Sequence, residues 1–424
     1  MKKIYIFFVL FLFLAVFCFF NLGEKSGYAE NKDKIILKGV VRGAGDPNFL
    51  GGANWVAVSG NYAFVVSYDD NMLSAFDVSD PSNPTIASGI KIQGYTDKDW
   101  GAFSVFISGN YAFVYDDGGV LLIYDISDHV NTGPKLKSKI KIGPMEQYQD
   151  VESAWGYAFV SGNYAYTVDE VMNTLSIIDI SDKNKPVILG TISGAGEPNY
   201  LKYPDFVTVD GNYAYVTGGG DDALSIFNIS DPKKPVFTGV IRGKGDPNYL
   251  GGTNSVAING NYAYVVSYDD AALSIIDISD PSNPILKGVI RGEGQPNYLE
   301  SAIDVVLVNN YAFVASSANN AISVYDVVDP TNPILKDVIR GAGSPNYLKD
   351  VNSLEISGNY LYATAFSDNA LVIFDISSFV NGKRSTDEPN IDNSADNGEE
   401  IITPDDSNTS ALRKWLRIHN PYST

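Results

Sequence analysis

A Gly-Asn-Tyr signature recurs along the chain with its Asn at 61, 110, 163, 212, 261, 310 and 359, and Asn309 takes the place of the Gly in one copy. Successive copies lie 49 residues apart, with one step of 53 between Asn110 and Asn163. A fixed period of this length marks a solenoid or a propeller, in which one small unit buries its apolar faces against copies of itself.

The fifth copy, Gly260 to Gly292, shows what the unit is. Ser255 to Ile258 predicts a first strand, Asn259-Gly260-Asn261 a turn, and Tyr262 to Tyr268 (YAYVVSY) a second strand rich in aromatic and β-branched residues. Asp269-Asp270 turns the chain again, and Leu273 to Ile278 makes the third strand. Ser279 to Pro284 (SDPSNP) is a turn of Pro, Asp and Asn, and Ile285 to Arg291 is the fourth strand. No helical period intervenes. The second and third strands are almost continuously apolar, as in sheets covered on both faces.

The two ends decide whether the array closes. The seventh unit has strands near Ser353 to Ile356, Tyr360 to Phe366 and Leu371 to Ile376, but Ser377 to Gly382 follows without a fourth. The missing strand stands at the other end, where Ile36 to Gly43 (ILKGVVRG) nearly repeats Ile285 to Gly292 (ILKGVIRG). The chain is therefore expected to be all-β: a seven-bladed β-propeller of four-stranded antiparallel blades, its last blade closed by the N-terminal strand.

The segments LSIIDISDPSNP (Leu273 to Pro284), LSAFDVSDPSNP (Leu73 to Pro84) and ALVIFDIS (Ala370 to Ser377) resemble the LVIVD-repeat family of extracytoplasmic bacterial and archaeal propellers. The resemblance covers all seven units. It implies the fold, but no reaction and no catalytic residues. The unit departs from the family in carrying an inserted loop, RGxGxPNYL. Signatures of other propellers are absent: there is no Trp-Asp dipeptide, no Ser-x-Asp-x-Gly-x-Thr-Trp box, and no Gly-Gly after each second strand.

Three segments are expected. Residues 1–29 read as a secretory signal, with Met1-Lys2-Lys3 before the apolar run Ile4 to Leu22 and small residues at Gly27 and Ala29. The run is nearly long enough to span a bilayer, so an uncleaved N-terminal anchor is the alternative. Either way residues 30–382, the propeller, are expected outside the cytoplasm, whether secreted, periplasmic or on the cell surface. Residues 383–424 read as a disordered tail, since Thr386 to Asn408 holds eight acidic residues and no base. Ser410 to Ile418 ends the tail as a short basic amphipathic segment, which either docks on the propeller or contacts a membrane or a protein. A membrane partner is expected only through that segment or an uncleaved signal.

Composition narrows the partners. The net charge is −20, and removal of residues 1–29, with three Lys and one Glu, leaves −20 − (3 − 1) = −22. Such a surface repels nucleic acid, so proteins or polysaccharides of the cell envelope are the expected partners. Cys18 is the only cysteine, and the mature chain has neither disulfides nor thiolate chemistry.

His129 and His419 are the only histidines, too few for a His-based metal site or a triad. Carboxylates do recur in the turns between second and third strands: Asp69-Asp70, Asp116-Asp117, Asp169-Glu170, Asp221-Asp222, Asp269-Asp270 and Asp368. Such a ring has the hard oxygen ligands that calcium takes, although tight hairpins favour Asp and Asn for local reasons and no cofactor is required. Arg42, Arg242, Arg291 and Arg340 are expected near these turns, neutralising part of the charge. The aromatic position of the repeated loop (Phe49, Tyr200, Tyr249, Tyr298, Tyr347) and its Leu are expected to pack between blades.

Function is sought where the repeat breaks. The loops before the second and third blades abandon the consensus, running Gly94 to Gly101 and Gly143 to Trp155, and three of the four tryptophans fall at the starts of three consecutive blades. The candidate ligand-binding residues are Trp55, Asp97, Asp99, Trp100, Glu146, Tyr148, Glu152 and Trp155, because exposed Trp beside carboxylates and amides builds glycan sites and protein hot spots. The first reading is an exported, non-enzymatic binding or scaffold propeller. The alternative is a carboxylate-dependent glycan hydrolase or lyase using Asp97, Asp99, Glu146 or Glu152 as acid and base.

Overall fold

The computed structural model describes residues 33–94, 101–144 and 155–381. It contains 28 strands, β1 to β28 in chain order, in seven four-stranded antiparallel sheets. Six sheets take consecutive strands, as in β18 (Thr253–Asn259), β19 (Tyr262–Ser267), β20 (Ala272–Asp277) and β21 (Ile285–Arg291). The seventh joins β26 (Val351–Ser357), β27 (Tyr360–Ala365) and β28 (Ala370–Asp375) to β1 (Ile36–Arg42), so the first strand completes the last blade. Val40 pairs with Val372 and Arg42 with Ala370 in that clasp. The short helix Ser377–Asn381 stands where a fourth strand would continue, and its Phe379 is buried against Tyr311 and Phe313.

The innermost strands of the seven blades are β2 (Ala53–Ser59), β6 (Ala102–Ser108), β10 (Gly156–Ser161), β14 (Pro204–Asp210), β18, β22 (Ala302–Val308) and β26. They surround a central cavity. The second and third strands are sandwiched between blades, and this is why their apolar runs are continuous: Ala263, Val265, Val266, Leu273, Ile275 and Ile276 all lose their solvent contact entirely. Each Val, Leu or Ile among them adds about 1.5–3 kcal/mol of burial free energy.

Blade-to-blade spacing is set by one glycine of the outer strand. A Cβ on Gly39, Gly190, Gly239 or Gly288 would stand 2.1–2.6 Å from the carbonyl oxygen of Pro81, Pro232, Pro281 or Pro330, which lies in the Asp-Pro turn of the next blade. The sixth blade faces the clasped blade, which has no such turn, and there Asp337 replaces the glycine. Its carboxylate accepts a 2.8 Å hydrogen bond from the Ile35 backbone N–H. The Asp of each Asp-x-Ser turn behaves as a turn stabiliser: Asp277 accepts from the Ser279 N–H at 2.9 Å and Asp280 from the Ser282 N–H at 3.0 Å.

Candidate functional site

One face of the ring carries the repeated loops, and its order follows from one Asp or Asn of the turn between second and third strands. Asp270 accepts from the N–H groups of Gly245 and Gly251 at 2.8 and 2.7 Å, and Asp70 accepts from those of Gly45 and Gly51. Asp221 and Asp368 hold their loops in the same way, and Asn319 substitutes at Glu300. These oxygens therefore serve backbone donors. Among the described residues no group of three or more His, Cys, Asp or Glu is placed to hold a metal ion.

The loop arginines do something other than neutralise the turns. Arg242 stacks over Tyr200, Arg291 over Tyr249, Arg340 over Tyr298 and Arg42 over Tyr347, with 4.1–4.7 Å between guanidinium carbon and ring centroid. Each pair links the end of a blade's outer strand to the loop that begins the same blade. The neighbouring Leu50, Leu201, Leu250, Leu299 and Leu348 are fully buried. The Leu packs inward as expected, whereas the tyrosine is half-buried beneath its own blade's arginine.

Of the candidate residues, Asp97, Asp99, Trp100, Glu146, Tyr148 and Glu152 lie outside the described residues. Trp155 is 43% exposed on the loop face, and its backbone N–H donates to Glu170 Oε2 at 3.3 Å. Its ring lies 5.6 Å from that of Phe103, which lies 5.4 Å from Tyr68, itself 6.4 Å from Phe366. Four aromatic side chains from the seventh, first, second and third blades thus form a continuous row across this face. Phe103 and Trp155 have no aromatic counterpart in the other blades, while Tyr68 and Phe366 share one position of the repeat with Asp117, Glu170, Gly219, Tyr268 and Ser317.

Carboxylates flank the row. The Tyr68 hydroxyl donates to Asp117 Oδ2 at 2.8 Å, and burial lifts Asp117 to about 6 and Asp116 to about 7. Burial likewise raises Glu170, and it holds Asp205 well above the carboxylate range, with the charge of Glu170 adding to the effect. The region joins flat apolar faces to partly protonated acids, a surface able to stack on a ring and exchange hydrogen bonds with hydroxyl or amide groups.

Trp55 is placed elsewhere. It sits in β2 on the wall of the central cavity, 5.0 Å from Tyr157 and 6.0 Å from Phe206, while Tyr157 and Phe206 stack at 4.1 Å. The equivalent positions around the ring are Trp55, Ser104, Tyr157, Phe206, Ser255, Asp304 and Ser353. Three aromatics reach across the axis because their neighbours are small. Asp304 faces them, accepting from Ser255 Oγ at 2.8 Å and from the Leu354 N–H at 2.8 Å. The sequence signal for this column is the alternation of Ser, Asp and aromatic residues at one position of the aligned copies.

His129, the single described histidine, is structural. Its ring packs edge-on against Tyr62 and Phe64, and Nδ1 lies 2.6 Å from the Ile126 carbonyl oxygen.

Fold and face together define a closed, repeat-built β-propeller, an architecture suited to scaffolding and binding. The LVIVD-repeat family model matches residues 50–90, 101–139, 157–193, 205–242, 250–291, 301–339 and 349–379, one stretch per blade. The chain belongs to the LVIVD-repeat family. No curated protein matches it. Among solved structures, it is similar to a chain of the mitotic checkpoint complex (12% identity, TM-score 0.60, covering 83% of this chain and 95% of that one). It is similar also to the β-propeller domain of Cps50 (Swd1) from Myceliophteria thermophila (11%, 0.58, covering 81% and 100%). A third likeness is to a protein from Lactobacillus plantarum (13%, 0.56, covering 68% and 84%). At these identities the likeness concerns the fold.

Proposed function

We propose that this protein is an exported, non-enzymatic binding propeller of the cell envelope that presents the loop face of its seventh, first, second and third blades to a protein or polysaccharide partner. The row Phe366, Tyr68, Phe103 and Trp155 carries the reading. A half-exposed aromatic row rimmed by acids and offering no repeated structural role is what a hot spot requires. The signal-like residues 1–29 support export, and the strongly negative charge favours neutral or basic partners.

The test is a glycan array and an envelope-extract pull-down with the full chain and a Phe103→Ala/Trp155→Ala double variant. Capture of a defined glycan or protein that the double variant loses at least tenfold supports the reading. Equal capture by both chains removes it.

A glycan hydrolase or lyase is the second reading. Asp205, whose carboxyl burial and then the charge of Glu170 raise well above its ordinary value, is the observation that favours it. Turnover of a captured glycan, lost in Asp205→Asn, would establish an enzyme; a captured glycan that stays intact leaves the binding reading alone. Among the described residues no helix is long and apolar enough to cross a membrane. A membrane contact would rest on Ser410 to Ile418, and loss of residues 409–424 would then abolish co-sedimentation with envelope fractions.

A further inference from the structure

The central cavity is a second and separate feature. It encloses about 590 Å³, within the range of small-molecule sites, and runs from the ring of Trp55, Tyr157 and Phe206 to Gly211 and Gly260 in the turns of the opposite face. Its wall is mainly aliphatic and aromatic, with Phe106 and Phe159 5.1 Å apart below the first aromatic layer. The charged residues on the described wall are all acids: Asp210 near the mouth, with Asp304 and Glu355 deeper in.

Glu355 is the unexplained group. It is partly buried, it lines the cavity, and no described residue gives it a hydrogen bond. A partly desolvated carboxyl without a partner is unfavourable in a fold that holds Ala57 or Ala257 at the equivalent positions. The Tyr157 hydroxyl is also without a hydrogen-bond partner among the described residues and belongs to the same wall. Two carboxyl groups on the sixth and seventh blades thus share the cavity wall with three aromatic rings on the first, third and fourth.

We infer that this cavity is a binding site for a small organic cation, an ammonium group carried on an apolar body, with the cation between the Glu355 and Asp304 carboxylates and the rings of Trp55, Tyr157 and Phe206. Aromatic faces attract cations by their quadrupole, and an acid pair with no basic residue on the described wall supplies the countercharge. The negative charge of the whole protein raises the local concentration of cations at the mouth.

The site has a built-in proton coupling. Burial, and then the charge of Asp304, raise Glu355 to about 8, and burial raises Asp304 to about 6. The groups facing Glu355 are Asp304 on β22, Tyr157 on β10 and Tyr362, its partner on β27; β2 presents no titratable side chain. Glu355 therefore has to release its proton to receive a cation. Affinity for a cation rises with pH up to about 8, and affinity for a neutral acceptor bonded to the protonated acid falls over the same range.

The experiment is calorimetric titration of the full chain with phenethylammonium and with 2-phenylethanol, its neutral counterpart, at about pH 7 and about pH 9. The expected result is binding of the ammonium that tightens about tenfold between the two pH values, against weak or absent binding of the alcohol. Glu355→Gln, which keeps the side-chain shape, is expected to weaken the ammonium at least tenfold at pH 9 and to flatten the pH dependence. Phe206→Leu, a milder change in the aromatic wall, is expected to weaken it several-fold. Failure of the ammonium to bind, alcohol binding as tight or tighter, or an unchanged Glu355→Gln titration would each overturn the assignment.

Discussion

The guanidinium of Arg42 lies 4.1 Å from the ring centroid of Tyr347, and Arg42 Nε donates to the Asp368 carbonyl at 3.4 Å. The contact reproduces, between the two ends of the propeller, what Arg242 and Tyr200 do within an unbroken repeat. Arg42→Ala is expected to lower stability by about 0.5–2 kcal/mol, with Arg42→Lys recovering only part because a compact ammonium stacks less well. Urea denaturation of the three chains checks this.

The loop carboxylates are structural, so Asp270→Ala leaves the N–H groups of Gly245 and Gly251 without their acceptor. The expected cost is about 1–3 kcal/mol, with hydrogen exchange at Gly251 accelerated before that of the Tyr262–Ser267 strand. Chelator is expected to leave the melting temperature of the wild type unchanged, and a large drop would bring calcium back to this ring.

Gly239→Ala tests the blade spacing. The new methyl would stand 2.3 Å from the Pro281 carbonyl oxygen, and the blades have to part to admit it. A loss of about 1–3 kcal/mol is expected by thermal unfolding.

Stability should report the protonation of Glu355. The native group binds its proton up to about 8, whereas the ordinary value for Glu is 4.5. Between those values the native state holds more protons than the unfolded one, so stability falls as pH rises, by at most about 1.4 kcal/mol per unit for this group. Glu355→Gln removes that slope. Its advantage over the wild type is expected to widen from pH 5 to pH 8 in melting experiments, and parallel curves would contradict the assignment.

Trp155 and Trp55 should separate surface from interior. Trp155→Ala removes an exposed ring and is expected to cost about 1 kcal/mol or less, whereas Trp55→Ala opens the aromatic layer of the cavity and is expected to cost on the order of 3 kcal/mol.

The blades are legible because each strand obeys a local rule that is repeated seven times: the fifth copy's fourth strand runs Ile285–Arg291 both in the sequence pattern and in the structure. The clasp was legible because ILKGVVRG stands where its copy is missing. The sites were harder. Tyr68 and Phe366 look like ordinary turn residues until Phe103 and Trp155 are brought beside them by neighbouring blades. Trp55 sits at the start of a blade as Trp155 does, but it lies within the inner strand, at the position Tyr157 holds on the cavity wall, whereas Trp155 stands in the loop before its strand. Glu355 is one acid among many in sequence, and only enclosure makes it unusual.

The clasp also imposes an order in time. Of the strands in the ring, β1 is synthesised first, yet its partner β28 is complete only after Asp375. At about 5–20 residues per second the wait is on the order of tens of seconds. Through that interval β1 has no partner and the growing sheet array keeps an open edge, the kind of edge that recruits other chains. Ring closure therefore requires completeness: a chain that stops short of the last hairpin carries two unsatisfied edges.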